Sequence, residues 1–206
     1  MGKIFDDIRQ YIPQYLTRES QDDIVRALRD FPNNFNYYTS YYQTDFLQGD
    51  GWNCLDIVNI YNDELSRVKI RGIILSNSCD ASLENVRSLP SKVVFAPILA
   101  LDAYTKKLSD AGLSDAAIKA KTEAIKKQQV TSIFYLPKGL SLEKDSIAIL
   151  DDLHSLPLSS VAANKDKIKY FTLSQVGFYL FLLKISIHFC RFQEKVFRDV
   201  SPKSHH

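Results

Sequence analysis

Val68-Lys69-Ile70-Arg71-Gly72-Ile73-Ile74-Leu75 and Lys92-Val93-Val94-Phe95-Ala96-Pro97-Ile98 are short runs rich in β-branched residues. Turn-formers bound both, so each reads as a strand. Ser132-Ile133-Phe134-Tyr135-Leu136 and Asp145-Ser146-Ile147-Ala148-Ile149-Leu150 continue the series. Between the second and third runs lies 101–129, rich in Ala and Lys, which reads as an inserted helix.

Outward from this β-rich centre the hydrophobic period changes. Ile24, Val25, Leu28 and Phe31 recur at steps of three and four and share one helical face. Ser20, Asp22 and Asp23 supply a cap and negative charge at its start, and Pro32-Asn33-Asn34 stops it. At the other end, Thr172 or Ser174 can cap a helix predicted over 172–198. Its seam is Leu173, Val176, Leu180, Leu183, Ile187 and Cys190. Phe178, Phe181, Ile185, Phe189 and Phe192 widen the apolar surface, which predicts a helix covered on two sides or placed in a homodimer interface. Helix, strands, inserted helix, strands and helix make an α+β fold. The expected division is an N-terminal helical extension with a Tyr-rich linker over 1–45, then a β-rich domain over 46–200.

The balance of 45% apolar and 24% charged residues excludes disordered and collagen-like chains. Lys and Arg number 26 against 24 Asp and Glu, a formal charge of +2, so polyanion binding must come from a local patch. Three cysteines, Cys54, Cys79 and Cys190, lie far apart with no C-x-x-C pair, which excludes a disulfide scaffold and points to a reducing compartment. The N-terminal residues turn acidic at Asp6 and Asp7 instead of building the apolar core of a signal peptide. The longest apolar stretch, 176–190, is broken by Lys184, Ser186 and His188 and falls short of the roughly 18 residues of a membrane span. A cytoplasmic chain without membrane contact is expected.

Several groups are candidates for chemistry. Lys106, Lys107, Lys119, Lys121, Lys126 and Lys127 make the insertion the most basic part of the chain, either as a solvated helix face or as an RNA-backbone contact. Phe35-Asn36-Tyr37-Tyr38-Thr39-Ser40-Tyr41-Tyr42 reads either as a stacking platform for bases or as a linker whose rings pack on the domain behind it. Ser76-Asn77-Ser78-Cys79-Asp80 follows the Arg71 strand and places polar groups at its end. Cys79 is a candidate nucleophile if His154 or His188 approaches as a base; otherwise it is a small buried filler beside a turn. The spacing of Cys54, Cys79, Cys190, His154 and His188 follows no zinc pattern, so neither a metal nor a cofactor is expected.

Gln48-Gly49-Asp50-Gly51-Trp52, then Arg71-Gly72-Ile73-Ile74-Leu75-Ser76-Asn77, then Val93-Val94-Phe95-Ala96-Pro97-Ile98 form an ordered set that resembles the MazF/PemK family of toxin-like domains. The segment from Leu142 to Leu156, with its charged residues, Asp-Ser and apolar strand, is similar to a later block of that family. The resemblance covers about 46–195. It implies a small, bent antiparallel SH3-like barrel closed by the C-terminal helix, commonly paired as a dimer, within a toxin–antitoxin or phage-defence system. The activity it implies is metal-independent cleavage of single-stranded RNA, with the family's catalytic Arg matching Arg71. An Arg suits that role because its fork holds two phosphate oxygens and keeps its charge.

Three positions depart from the family pattern. Leu99 stands where the family has its catalytic hydroxyl, Gly72 where it has a Pro, and the RNA-guiding loop corresponds to 59–69 without the family's Gly-rich pattern. Two expectations follow. In one, the chain is an endoribonuclease in which Arg71 meets the scissile phosphate and Ser76, Ser78 or Asp80 replaces the missing hydroxyl. In the other, it is a catalytically inactive barrel that binds single-stranded RNA or a cognate protein partner.

Overall fold

A computed structural model describes residues 22, 25–27, 31, 35–61, 64–78 and 90–190. The four strands read from β-branched runs are present as β3 (Glu64–Ile74), β4 (Lys92–Ala100), β5 (Ile133–Leu136) and β6 (Ser146–Ile149). Four more join them: β1 (Tyr38–Thr39), β2 (Gly51–Tyr61), β7 (His154–Pro157) and β8 (Lys169–Leu173). Every pairing is antiparallel, and the order is β1-β8-β2-β3-β4-β6-β5, with β7 also on β4.

Strand β4 is the spine of this sheet. Its one edge takes Gly72–Ile74 of β3; its other edge takes β7 along Lys92–Phe95 and β6 along Ile98–Ala100. Splitting that edge between two short strands curls the sheet into an open half-barrel whose path ends at β1 and β5. At Gly72 of β3 a Cβ would stand 2.7 Å from the Phe95 ring and 2.8 Å from Leu55. Gly72 is present because two core side chains occupy that space.

Four helices complete the α+β fold among the described residues: α1 (Leu101–Asp110), α2 (Asp115–Lys126), α3 (Leu158–Ala163) and α4 (Gln175–Phe189). The insertion expected as one helix is a pair, α1 and α2, broken at 111–114; Ser114 caps α2 by accepting from the Ala117 N–H. Of the segment 59–69, expected as a loop, residues 59–61 belong to β2 and 64–69 to β3, which pair with each other, and Arg67 makes two hydrogen bonds to Asp56 at 3.1 and 2.8 Å; residues 62 and 63 lie outside those described. Of the expected N-terminal helix, Asp22 and residues 25–27 are helical and Phe31 lies in a turn; the other residues lie outside those described.

Helix α4 begins after Ser174, whose hydroxyl accepts from the Gly177 N–H; Thr172 belongs to β8 and does not cap it. Residues 191–198 of the expected helix lie outside the described residues. The expected seam is displaced by about one position: Gly177, Leu180, Phe181 and Lys184 are buried, whereas Ile187 and Cys190 are exposed. The reason is the 35–39 segment crossing the helix start. A Cβ on Gly177 would lie 2.4 Å from the Tyr37 carbonyl oxygen, so only glycine admits that backbone. No described helix is long and apolar enough to cross a membrane.

Two cores form on this frame. The larger joins Phe134, Ile147, Phe171 and Phe181 to Tyr37 and Tyr38, and the smaller joins Trp52, Leu55, Phe95 and Val161. The Tyr-rich segment is therefore divided: Tyr37 and Tyr38 are core residues, while Tyr41 and Tyr42 are exposed. Gln128 bridges α2, β5 and α4. Its side chain donates to the Tyr135 carbonyl at 2.8 Å and accepts from the Tyr135 N–H at 3.1 Å, and its own carbonyl accepts from Lys184 Nζ at 2.6 Å.

Burial of Lys184 pulls its pKa from 10.5 down to about 8. Between those values the unfolded chain holds a proton that the folded chain has released, so stability rises with pH across the window. Urea unfolding is expected to show a gain of roughly 2 kcal/mol between about pH 8 and pH 10. Lys184→Met is expected to remove that gain. A wild-type stability that is flat or falling across the window would contradict the assignment.

Candidate functional site

The Gln48-Gly49-Asp50-Gly51-Trp52 stretch enters β2 through backbone hydrogen bonds with Ile74: the Gly49 N–H donates to Ile74 at 2.8 Å, and the Ile74 N–H donates to Asp50 at 2.9 Å. This points the Asp50 carboxylate inward, where it is wholly buried. Its Oδ2 accepts from the Leu47 N–H and lies 2.7 Å from Lys169 Nζ. The Lys169 ammonium also donates to the carbonyls of Tyr42 at 2.6 Å and Asp45 at 2.9 Å, and lies 5.5 Å from the Trp52 ring centroid. All three ammonium protons thus have acceptors. Burial raises the Asp50 carboxyl to about 6, against the opposing pull of Lys169, the Leu47 N–H and the Thr172 hydroxyl. Asp50 and Lys169 act as a pin that joins the 42–50 segment to β8.

Arg71 lies half-buried on β3, on one side of this pin. Its guanidinium sits 5.7 Å from the Tyr170 ring centroid, a cation–π contact that orients the fork. Arg71 and Tyr170 line an open cavity of about 340 Å³ with Ala100, Ser141, Glu143 and Lys144. The lining carries two cations and one carboxylate, so it favours an anion. The 141–145 loop ties this cavity to the helix pair: Lys144 pairs with Asp102 of α1 at 2.7 Å, and Asp145 with Lys126 of α2 at 3.8 Å.

The other predicted site residues divide as follows. Ser76 Oγ accepts from the Val94 N–H at 2.7 Å, which extends the β3–β4 pairing, and Ser76 does not line the Arg71 cavity. Cys79 and Asp80 lie outside the described residues. Leu99 packs against the larger core, and its backbone pairs with Ile147. Of the insertion lysines, Lys106, Lys107, Lys119 and Lys127 are exposed, Lys121 lies over the Tyr104 ring, and Lys126 is the Asp145 partner. His154 stacks on Phe95, with its Nε2 3.0 Å from Asp152; His188 packs edge-on against Phe189. Among the described residues no three His, Cys, Asp or Glu side chains converge as a metal set.

A second cavity, of about 390 Å³, is lined in part by Tyr42, Leu47 and Gln48 of the pinned segment. Tyr41, Tyr42 and Phe178 supply rings to it, and Asn36, Gln48 and Gln175 supply carboxamides. Ser78 also lines it, its hydroxyl accepting from the Gln48 N–H at 2.9 Å.

The chain matches no model of a known protein family, and no curated protein matches it.

Lys144, Tyr170, Lys169 and Gln48 have functional or supporting positions that reading the chain residue by residue does not single out. Each acts on a group far away in sequence, and the local pattern carries no sign of it. The sole signal for Lys169 is a charge set inside the apolar run Ile168 to Leu173.

The pin can be tested by a double-mutant cycle in urea unfolding. Asp50→Ala and Lys169→Met are each expected to cost about 3–5 kcal/mol, since each leaves an unpaired buried charge. The double variant is expected to cost clearly less than the sum. Additive costs, or single costs below about 1 kcal/mol, would contradict the role given to the pair.

Proposed function

We propose that this chain is a single-stranded RNA-binding module of MazF/PemK-like type, built on an SH3-like curled sheet and acting in the cytoplasm as part of a toxin–antitoxin or phage-defence system. The observation that carries the reading is the Arg71 guanidinium, held against Tyr170 in an open cavity beside Lys144 and Ser141. A guanidinium in that setting offers two parallel N–H donors to a phosphate, with a second cation and a hydroxyl within the same lining. The exposed lysines of α1 and α2 extend the positive surface from the same loop. Binding is favoured over cleavage because Leu99 packs on the core and the Ser76 hydroxyl is engaged by the β4 backbone.

Fluorescence anisotropy with a labelled single-stranded RNA pool, in the presence of a chelator, tests this reading. Wild type is expected to bind with an affinity that falls as salt rises. Arg71→Ala is expected to weaken binding roughly tenfold or more, as loss of a charged hydrogen bond predicts. The RNA is expected to remain intact on a gel. Absence of binding, or equal binding by wild type and Arg71→Ala, would overturn the reading; Arg71-dependent cleavage would move it to the endoribonuclease.

A further inference from the structure

The Tyr-rich segment contains more aromatic surface than the core uses. Tyr37 and Tyr38 are buried, yet Tyr41 is 73% exposed and Tyr42 60% exposed, and both rings line the 390 Å³ cavity. Water-exposed aromatic rings grouped at a cavity of ligand-binding size point to a bound partner rather than to packing.

The backbone holds these rings out at a cost. Tyr42 has a φ of 61°, a left-handed conformation that bulky residues avoid. It persists because the surroundings over-determine it: the Tyr42 carbonyl accepts from buried Lys169, Gln43 Nε2 donates to the Ser40 carbonyl at 2.7 Å, and the Tyr41 N–H donates to Thr39 Oγ1 at 3.3 Å. Strain kept in place by a buried charge, with an exposed ring as its product, is characteristic of a ligand clamp.

The lining specifies the chemistry. Rings of Tyr41, Tyr42 and Phe178 offer flat apolar faces, and the Gln175 carboxamide offers a donor and an acceptor, while Gln48, whose Nε2 donates to the Leu75 carbonyl at 2.7 Å, offers an acceptor. Among the described residues that line the cavity none is Lys, Arg, Asp or Glu, a lining that suits a group neutral where it enters. A flat, neutral heterocycle with donors and acceptors on its edge fits; a nucleobase is such a group. The two cavities are also neighbours along β8. Tyr170 lines the Arg71 cavity and Thr172 lines this one, two residues or about 7 Å along a strand. Lining residues so close on one strand suit a phosphate and a base of the same RNA strand.

We infer that the cavity between Tyr41, Tyr42 and Phe178 takes an unpaired base of the single-stranded RNA whose phosphate meets Arg71. This rests on the RNA-binding reading and adds to it the part of the nucleotide that each cavity takes.

The test compares a short single-stranded RNA with an oligomer of the same sequence carrying abasic residues, on wild type, Arg71→Ala and the double variant Tyr41→Ala/Tyr42→Gly. Glycine at 42 keeps the left-handed backbone while removing the ring, and thermal unfolding checks that the double variant is folded. Wild type is expected to bind the intact RNA roughly tenfold or more tightly than the abasic oligomer. The tyrosine variant is expected to bind both equally, while Arg71→Ala weakens both. If intact RNA binds in an Arg71-dependent way, but the abasic oligomer binds as well and the tyrosine variant is unchanged, the base site is wrong and the phosphate site stands. If wild type binds neither, both fall. A nucleoside monophosphate that displaces the RNA at comparable concentration would overturn the strand assignment in favour of a free nucleotide.

Discussion

The Asp50 carboxylate and the Lys169 ammonium, 2.7 Å apart and closed off from solvent, hold the 42–50 segment against β8. Isolated, either charge would be too costly to bury. Together they are tolerable because the Leu47 N–H adds a donor to Asp50 Oδ2, because the carbonyls of Tyr42 and Asp45 satisfy the other ammonium protons, and because the Trp52 ring lies beneath the ammonium, although Asp50 Oδ1 is buried without a hydrogen-bond partner. The pair fixes one irregular segment, 42–50, to one short strand, β8. A hydrophobic pair of similar volume would fill the space but would leave the Tyr42 and Asp45 carbonyls without a donor, and with them the turn that presents Tyr42.

Strand β8 spreads that constraint across the fold. It pairs with β1 on one side and β2 on the other, so residues 38–39 and the start of the long hairpin are both set by its position. Phe171 and Leu173 enter the larger core, while Tyr170 and Thr172 each line a cavity. Helix α4 follows directly and is placed by the Tyr37 backbone over Gly177 and by Lys184 on the Gln128 carbonyl. An error in the placement of β8 would therefore move both cavities and the helix at once.

The parts legible in the sequence were those with local causes. β3 to β6 are short β-branched runs, and such runs declare themselves. β2 is obscured by Asn53, Asp56 and Asn59, which interrupt its apolar residues, and by a register shift between Trp52 and Leu55, where Cys54 takes a φ of 54°. The face of α4 was read one position off because its periodicity is apolar nearly all round, and the choice of buried stripe is made by a crossing segment 140 or so residues away in the chain. Arg71 was reached through a resemblance, but its companions Tyr170, Lys144 and Ser141 come from β8 and a distant loop. The Tyr-rich segment left two readings open, and both hold for different residues: Tyr37 and Tyr38 pack, while Tyr41 and Tyr42 stay outside.

On the reading proposed, one strand of RNA occupies both cavities, aligned by β8. A titration of isotopically labelled protein with a short single-stranded RNA, followed through backbone amide resonances, tests it most directly. The account predicts that the amides of Tyr41, Tyr42 and Gln48 shift together with those of Arg71, Lys144 and Tyr170, along one binding curve with a single dissociation constant. Shifts confined to one cavity, or two curves with separate constants, would contradict it.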